Sequence, residues 1–325
     1  MIEFGDIPGV EKLGKGGQAT VYKVPPGALH PKITEPVAIK KYSAKILRGN
    51  GRAIEQYLKM MLEVRKNAPQ DIRRTIDQYT IWPRVVVYDN GEACGFAMNM
   101  IPEKFFARYR DVSGPVTAES NFDFILNDDC TRRRFGLPAV DAAGRAKITG
   151  DLLHIISQLH RYGIIAGDIS PNNILAYVDR DRQDRNRVLL IDADSFRKAN
   201  HTHPLKQPHT PNWYPPESWS ARLRRLEIEK NGGDQNLVLR HRAMEFIQNT
   251  QTDVYKVCLA VMRLYHDGAQ RTSVSGSPGA YNNITRELGE EFAQYIFNGL
   301  SAEPAERPSG QELHMCFRYA AYGRV

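Results

Sequence analysis

Asp168-Ile169-Ser170-Pro171-Asn172-Asn173 sets a carboxylate and an amide five residues apart, and beyond the apolar run Val188-Leu189-Leu190-Ile191 comes Asp192-Ala193-Asp194. One carboxylate on a loop, an amide close behind it and a second carboxylate at a strand end can together supply a proton acceptor and two oxygen ligands for a divalent cation. Phosphoryl transfer needs such a set. Mg²⁺ takes one or two protein oxygens plus substrate phosphates, and the acceptor hydroxyl must be aligned.

The elements that would position these groups are legible upstream. Leu13-Gly14-Lys15-Gly16-Gly17-Gln18-Ala19-Thr20-Val21-Tyr22-Lys23-Val24 reads as a glycine-rich turn entering a β-branched strand. Such a turn can be a plain hairpin, or a place where backbone N–H groups approach phosphate oxygens. It enters a strand and not a helix, which disfavours P-loop and dinucleotide folds. Val37-Ala38-Ile39-Lys40 is a short strand in which Ala38 and Lys40 share a face. A lysine held under nucleotide phosphates needs a carboxylate to fix it. The helix expected over 53–66 offers Glu55, one turn before Leu58, with Glu63 as the alternative. Strands are expected over 82–88 and 95–101, joined by Asp89-Asn90-Gly91. The first 101 residues thus read as a mostly antiparallel sheet carrying one helix.

After Pro102 the character changes. Ile148, Leu152, Leu153, Ile156 and Leu159 mark an amphipathic helix over 145–162 that delivers the chain to the Asp168 loop. A hairpin of 174–178 with 188–191 follows, then helices over 253–265 and 287–300, with a helical insertion near 220–245. The fold class expected is α+β, with residues 1–101 as a small β-rich part and 102–325 as a larger helical one.

Composition narrows the alternatives. A chain of 325 residues with 42% hydrophobic content can bury one large core or two modest ones. The net charge of +7, from 44 basic against 37 acidic residues, is spread along the chain, and no nucleic-acid-binding signature accompanies it. Cys94, Cys130, Cys258 and Cys316 are far apart, which argues against a zinc site or disulfide framework and fits a reducing cytoplasm. No stretch approaches a membrane span, and a soluble cytoplasmic protein is expected. The stretch from His201 through His203 to His209 reads as a flexible polar loop, because no carboxylate or cysteine completes a metal set.

The order of these motifs resembles the protein kinase fold over nearly the whole chain. Gly14-x-Gly16-x-x-Ala19-x-Val21 resembles the glycine-rich loop, Val37-Ala38-Ile39-Lys40 the lysine strand, and Asp168 to Asn173 the catalytic loop. Asp192-Ala193-Asp194 stands at the DFG position. Pro215-Pro216-Glu217 resembles the end of an activation segment, Asp253-Val254-Tyr255 the start of the central helix of the large lobe, and Arg307-Pro308 the late arginine that pairs with Glu217. The resemblance implies a bilobal fold and an ATP- and Mg²⁺-dependent Ser/Thr kinase. Asp168 would orient the acceptor hydroxyl, Asn173 and Asp192 would hold the metal, and Lys40, fixed by Glu55 or alternatively Glu63, would hold the phosphates. Nucleotide would lie against Gly14, Lys15, Gly16, Gly17, Gln18, Ala19, Val21, Ala38, Met98, Asn99 and Met100.

Departures from the pattern matter as well. Ala19 stands at the third glycine, Ala166-Gly167 replaces the usual His-Arg, Ser170 replaces a lysine that contacts the transferred phosphate, and Asp194 replaces the DFG glycine. Control by phosphorylation of the activation segment is therefore not expected, and a nucleotide-binding pseudokinase acting as a scaffold is the competing expectation. Asp168 to Asn173, Leu190 to Phe196 and Tyr214 to Trp219 also resemble bacterial kinase-like proteins of TerY-type stress-response triads. That likeness implies a protein substrate, with a von Willebrand-type domain protein and a phosphatase as partners.

Overall fold

Short β-branched runs punctuated by glycine and proline in the first hundred residues pair into one sheet. The computed structural model describes residues 1–111, 114–205, 207–266 and 278–323. Strands β1 (Ile2–Glu3), β2 (Glu11–Lys15), β3 (Ala19–Val24), β4 (Val37–Tyr42), β5 (Pro83–Asp89) and β6 (Glu92–Asn99) lie in the order β1-β5-β6-β4-β3-β2. All pairs are antiparallel except β1 with β5. Ile39, Val24, Val87, Cys94 and Ala97 form a buried cluster in this sheet. Lys40 stands opposite Val21 on one side and Phe96 on the other. At Gly95 a Cβ would come within 2.0 Å of the Lys40 carbonyl oxygen, so a glycine is what lets β6 lie close beside the lysine strand.

Three helices, not the single one expected, accompany this sheet: α1 (Ala44–Leu47), α2 (Gly51–Asn67) and α3 (Gln70–Tyr79). Pro69 marks the end of α2 in sequence, but it also precedes the first turn of α3, where its missing N–H is harmless. Ile72 and Ile76 give α3 its buried face, and Arg65 of α2 grips Asp77 of α3 with two bonds of 2.7 and 2.8 Å. Helix α2 packs on β5 and β6 through Ile54, Leu58 and Met61, and the Trp82 indole donates to the Met61 carbonyl.

From residue 103 the chain is mainly helical. A hairpin of β7 (Phe106–Asp111) and β8 (Gly114–Glu119) leads to α4 (Asp129–Phe135) and the long α5 (Ala142–Arg161). The short β9 (Ile164–Ile165) precedes the Asp168 loop, and β10 (Ile174–Tyr177) pairs antiparallel with β11 (Arg187–Leu190). Residues 191–206 contain the short β12 (Arg197–Lys198). Helices α6 (Pro216–Lys230), α7 (Gln235–Glu245), α8 (Thr250–Leu264), α9 (Pro278–Leu288), α10 (Glu290–Asn298) and α11 (Gly310–Tyr322) complete the architecture. The protein is of the α+β class. Among the described residues no helix is long and apolar enough to cross a membrane.

Two compact units result. One comprises Met1–Pro102 with Ile191–Lys206, the other Glu103–Leu190 with Gln207–Val325. A division at 101/102 by sequence character alone puts 191–206 with the helical part, whereas its contacts place it with the sheet. In the helical unit α8 is buried almost all round, its N-terminus closed by a reciprocal pair of bonds between Asn249 and Thr252. The insertion over 220–245 is the helix pair α6–α7. Its buried Glu245 receives Arg222 at 3.0 Å and Arg225 at 2.6 Å.

Helices α5 and α11 bring His154 and His314 together, ring centroids 5.3 Å apart. Burial lowers the pKa of both. For His314 the neighbouring His154 and Arg318 add to the effect, bringing it to about 4. An unfolded chain takes up these protons near the ordinary value of 6.5, whereas the folded chain refuses them until much lower pH. This part of the stability is therefore fully present above pH 6.5 and lost as pH falls toward 4. Urea melts between pH 7 and 4.5 should show the midpoint falling with acid, and H314Q should flatten that slope even if it lowers the midpoint at pH 7.

Candidate functional site

In the sheet unit, Lys40 is 8% exposed and its charge is met by two carboxylates. Its Nζ lies 2.8 Å from Asp194 Oδ1 and 3.2 Å from Asp192 Oδ1. Burial by itself would lower the lysine pKa, but the two carboxylates outweigh it and hold the ammonium above its ordinary range. The Tyr42 hydroxyl, two residues along the strand from Lys40, donates to Asp194 Oδ2 at 2.8 Å. From α2 the Tyr57 hydroxyl donates to the Phe196 carbonyl and reaches the Asp194 carbonyl at 3.3 Å. Burial first, and Asp194 second, raise the pKa of both tyrosines, so both hydroxyls keep their protons as donors.

His203 closes this cluster and corrects the expectation of a flexible loop. Its Nε2 lies 2.8 Å from the Asp194 carbonyl, its Nδ1 accepts from Leu205 N at 3.1 Å, and its ring stands edge-on to Tyr57 at 4.4 Å. Burial lowers its pKa, and the Leu205 carbonyl also stands 3.0 Å from Nδ1. His209 is also buried, against Tyr214. Among the described residues no group of three or more His, Cys, Asp or Glu side chains gathers as a metal site.

Glu55 and Glu63 do not reach Lys40, which overturns the expected pairing. Glu55 Oε1 accepts from Lys59 at 2.7 Å and Tyr88 at 3.0 Å, while Glu63 holds Asn67. The helical position that faces the lysine cluster carries Tyr57. The deciding carboxylate, Asp194, is noticeable in sequence only as an acid where a glycine would be usual.

The glycine-rich stretch is the β2–β3 hairpin, closed by Gly16 N donating to the Ala19 carbonyl at 2.8 Å. Gly14, Lys15, Gly16, Gly17 and Gln18 are all exposed, whereas Ala19 is buried opposite Tyr42. A Cβ at Gly14 or Gly17 would touch nothing within 4 Å, and at Gly16 it would find ordinary room. None of the three has a positive φ. The fold itself therefore does not require glycine at these positions. On β6, Met98 is half-buried opposite Ala38, Asn99 is exposed at the strand end and Met100 follows half-buried. Val21 is half-buried on β3.

Asp192 has φ 56° and ψ 41°, a left-handed conformation for a residue with a side chain. Such geometry costs about 1–3 kcal/mol and concentrates at functional sites. Its carboxylate is 49% exposed.

In the helical unit the Asp168 loop is held from beneath by Asp253, which is fully buried on α8. The two oxygens of Asp253 accept from Ala166 N at 2.7 Å and Gly167 N at 2.8 Å, with His160 Nε2 at 3.1 Å. Lys256, one turn further along, donates to the Gly167 carbonyl at 2.7 Å. Gly167 has φ 74°, a left-handed turn that glycine adopts without strain. The Asn173 amide donates to Asp168 Oδ2 at 2.8 Å and to the Asp168 carbonyl at 2.9 Å, and the Thr210 hydroxyl lies 3.3 Å from Asp168 Oδ1. With its nitrogen committed, Asn173 has its amide oxygen as acceptor. That oxygen is a hard donor of the kind Mg²⁺ takes, and in the sheet unit so, separately, is the half-exposed Asp192 carboxylate. Arg307 grips Glu217 with bonds of 2.9 and 2.7 Å, which fixes the start of α6.

No protein-family model matches the chain. No curated protein matches it in sequence either. The geometry of the two groups of residues is accordingly what bears on function.

The Asp253 arrangement predicts its own sensitivity. Asp253→Asn keeps the shape but turns an N–H₂ toward a backbone N–H, leaving a buried donor unmet. The expected loss is about 1–3 kcal/mol in urea denaturation, whereas Asp181→Asn, in an exposed turn, should stay within about 0.5 kcal/mol.

Proposed function

We propose that this protein is an ATP- and Mg²⁺-dependent Ser/Thr protein kinase of the bilobal protein kinase-like type, with the sheet unit as its small lobe. The observation that carries this reading is the 3.2 Å pair between Lys40 and Asp192. A phosphate-seeking cation and a metal-seeking carboxylate, far apart in sequence, share one point beside a glycine hairpin whose glycines the fold does not need.

On this reading the exposed hairpin from Gly14 to Gln18 lies along the phosphates, and Lys40 compensates their charge. Ala38, Met98, Asn99 and Met100 border the base. Asn173 and Asp192 would hold Mg²⁺, which when bound neutralises the phosphate oxygens. Asp168 already holds a threonine hydroxyl, that of Thr210, at the oxygen where an acceptor hydroxyl would sit. The acceptor oxygen forms a bond to the γ-phosphorus while the bond to the bridging oxygen of ADP breaks, and the hydroxyl proton passes to Asp168. Gly167 takes the place of the arginine that would read a phosphorylated segment. The loop is instead fixed by Asp253 and Lys256, so activity needs no such phosphorylation. Because the chain resembles the triad kinases, a partner protein is the natural acceptor.

A nucleotide-binding scaffold is the second reading. Both Asp192 and Asp194 engage Lys40, and Ser170 brings no positive charge where a lysine would stabilise the transferred phosphate. Radiolabel transfer from ATP with Mg²⁺, into the chain itself or a generic Ser/Thr substrate, separates the two. Label is expected, with single-turnover rates reduced about 10²–10⁴-fold in Asp168→Ala and further in Asp192→Ala. Wild-type rates in both variants, or nucleotide binding without transfer under any divalent metal, would sink the kinase reading.

A further inference from the structure

We propose that Asp194 is the positioning residue that holds Lys40 for the nucleotide phosphates, and that Asp192 is only its exchangeable second partner. The proposal rests on the ATP reading above. The two carboxylates differ in how they are held. Asp194 is 6% exposed and uses both oxygens, Oδ1 for Lys40 and Oδ2 for the Tyr42 hydroxyl. Its carbonyl receives Tyr57 and His203. It is thus fixed by β4, by α2 and by its own segment. Asp192 is 49% exposed and meets Lys40 through Oδ1 alone.

A phosphate oxygen arriving at Lys40 therefore competes with Asp192, while Asp194 keeps the ammonium aimed. Helix carboxylates cannot do this work, because Glu55 is bonded to Lys59 and Tyr88 and Glu63 is exposed beside Asn67. Orientation of the lysine then depends on residues 194–203, through Asp194 and His203, and not on the placement of a glutamate on α2.

Titration with a fluorescent ATP analogue in EDTA tests this without turnover. Lys40→Met and Asp194→Asn should each weaken binding about tenfold or more, and the double variant should bind no worse than Lys40→Met alone. Glu55→Gln and Glu63→Gln should bind within about twofold of wild type. Tyr42→Phe, which removes only the hydroxyl on Asp194, guards against misfolding of the aspartate variants and should show a smaller loss in the same direction. Binding that depends on Lys40 but not on Asp194, or that falls in Glu55→Gln or Glu63→Gln, overturns the proposal alone. Failure of the wild-type chain to bind nucleotide at all overturns the ATP reading and this proposal with it.

Discussion

Lys40 is almost withdrawn from water, and an ammonium in that position has to be met by charge on the spot. Burying an ion without a partner costs several kcal/mol, and removing one member of a buried pair typically costs about 3–5 kcal/mol. The same requirement recurs through the chain. Asp253 is met by two backbone N–H groups, Glu245 by Arg222 and Arg225, and Arg307 by Glu217. In each case the contacts join separate elements of the chain. What looks like a set of separate motifs is, physically, a set of buried ions whose partners fix where loops and helices must lie.

The Asp168 loop is kept in shape through its backbone. Here Gly167 offers only backbone, and Asp253 with Lys256 grips that backbone at both its N–H and its carbonyl. Backbone anchoring of this kind is insensitive to phosphate and to ionic strength, since Asp253 has no solvent exposure.

Much of this was legible in the sequence, for physical reasons. Strands β3 to β6, α5, the 174–190 hairpin and α8 follow from periodicity and from glycine and proline punctuation, whereas the β7–β8 hairpin was not expected in a part that reads as helical. Asp168, Asn173, Asp192 and Lys40 stand out by residue type and spacing, and Glu217 and Arg307 through the resemblance to the kinase motifs. What sequence could not supply was the partner of Lys40. Glu55 sits at a sensible helical position, but which carboxylate meets Lys40 depends on the path of a segment some 154 residues later. Tyr42 could have been found, since it shares a strand face with Lys40. His203 and His209 were hidden because a polar run normally signals solvent, and only tertiary packing takes them out of it. Helix α3 was hidden by Pro69, which closes one helix and opens the next.

Because residues 191–206 complete the sheet unit, the chain leaves that unit at Pro102 and comes back to it only after the Asp168 loop and β11. On a ribosome this matters. Lys40, Tyr42 and Tyr57 emerge early, but the carboxylate that satisfies the lysine follows 154 residues behind it. At translation rates of about 5–20 residues per second the carboxylate that meets the lysine follows it by about 8–30 s. During that interval the sheet is a half-built domain, open to chaperones and to premature pairing along the exposed edge of β2. Vectorial synthesis and the closing of this core are thus out of step, and the last piece of the first unit can be fitted only after much of the second has been made.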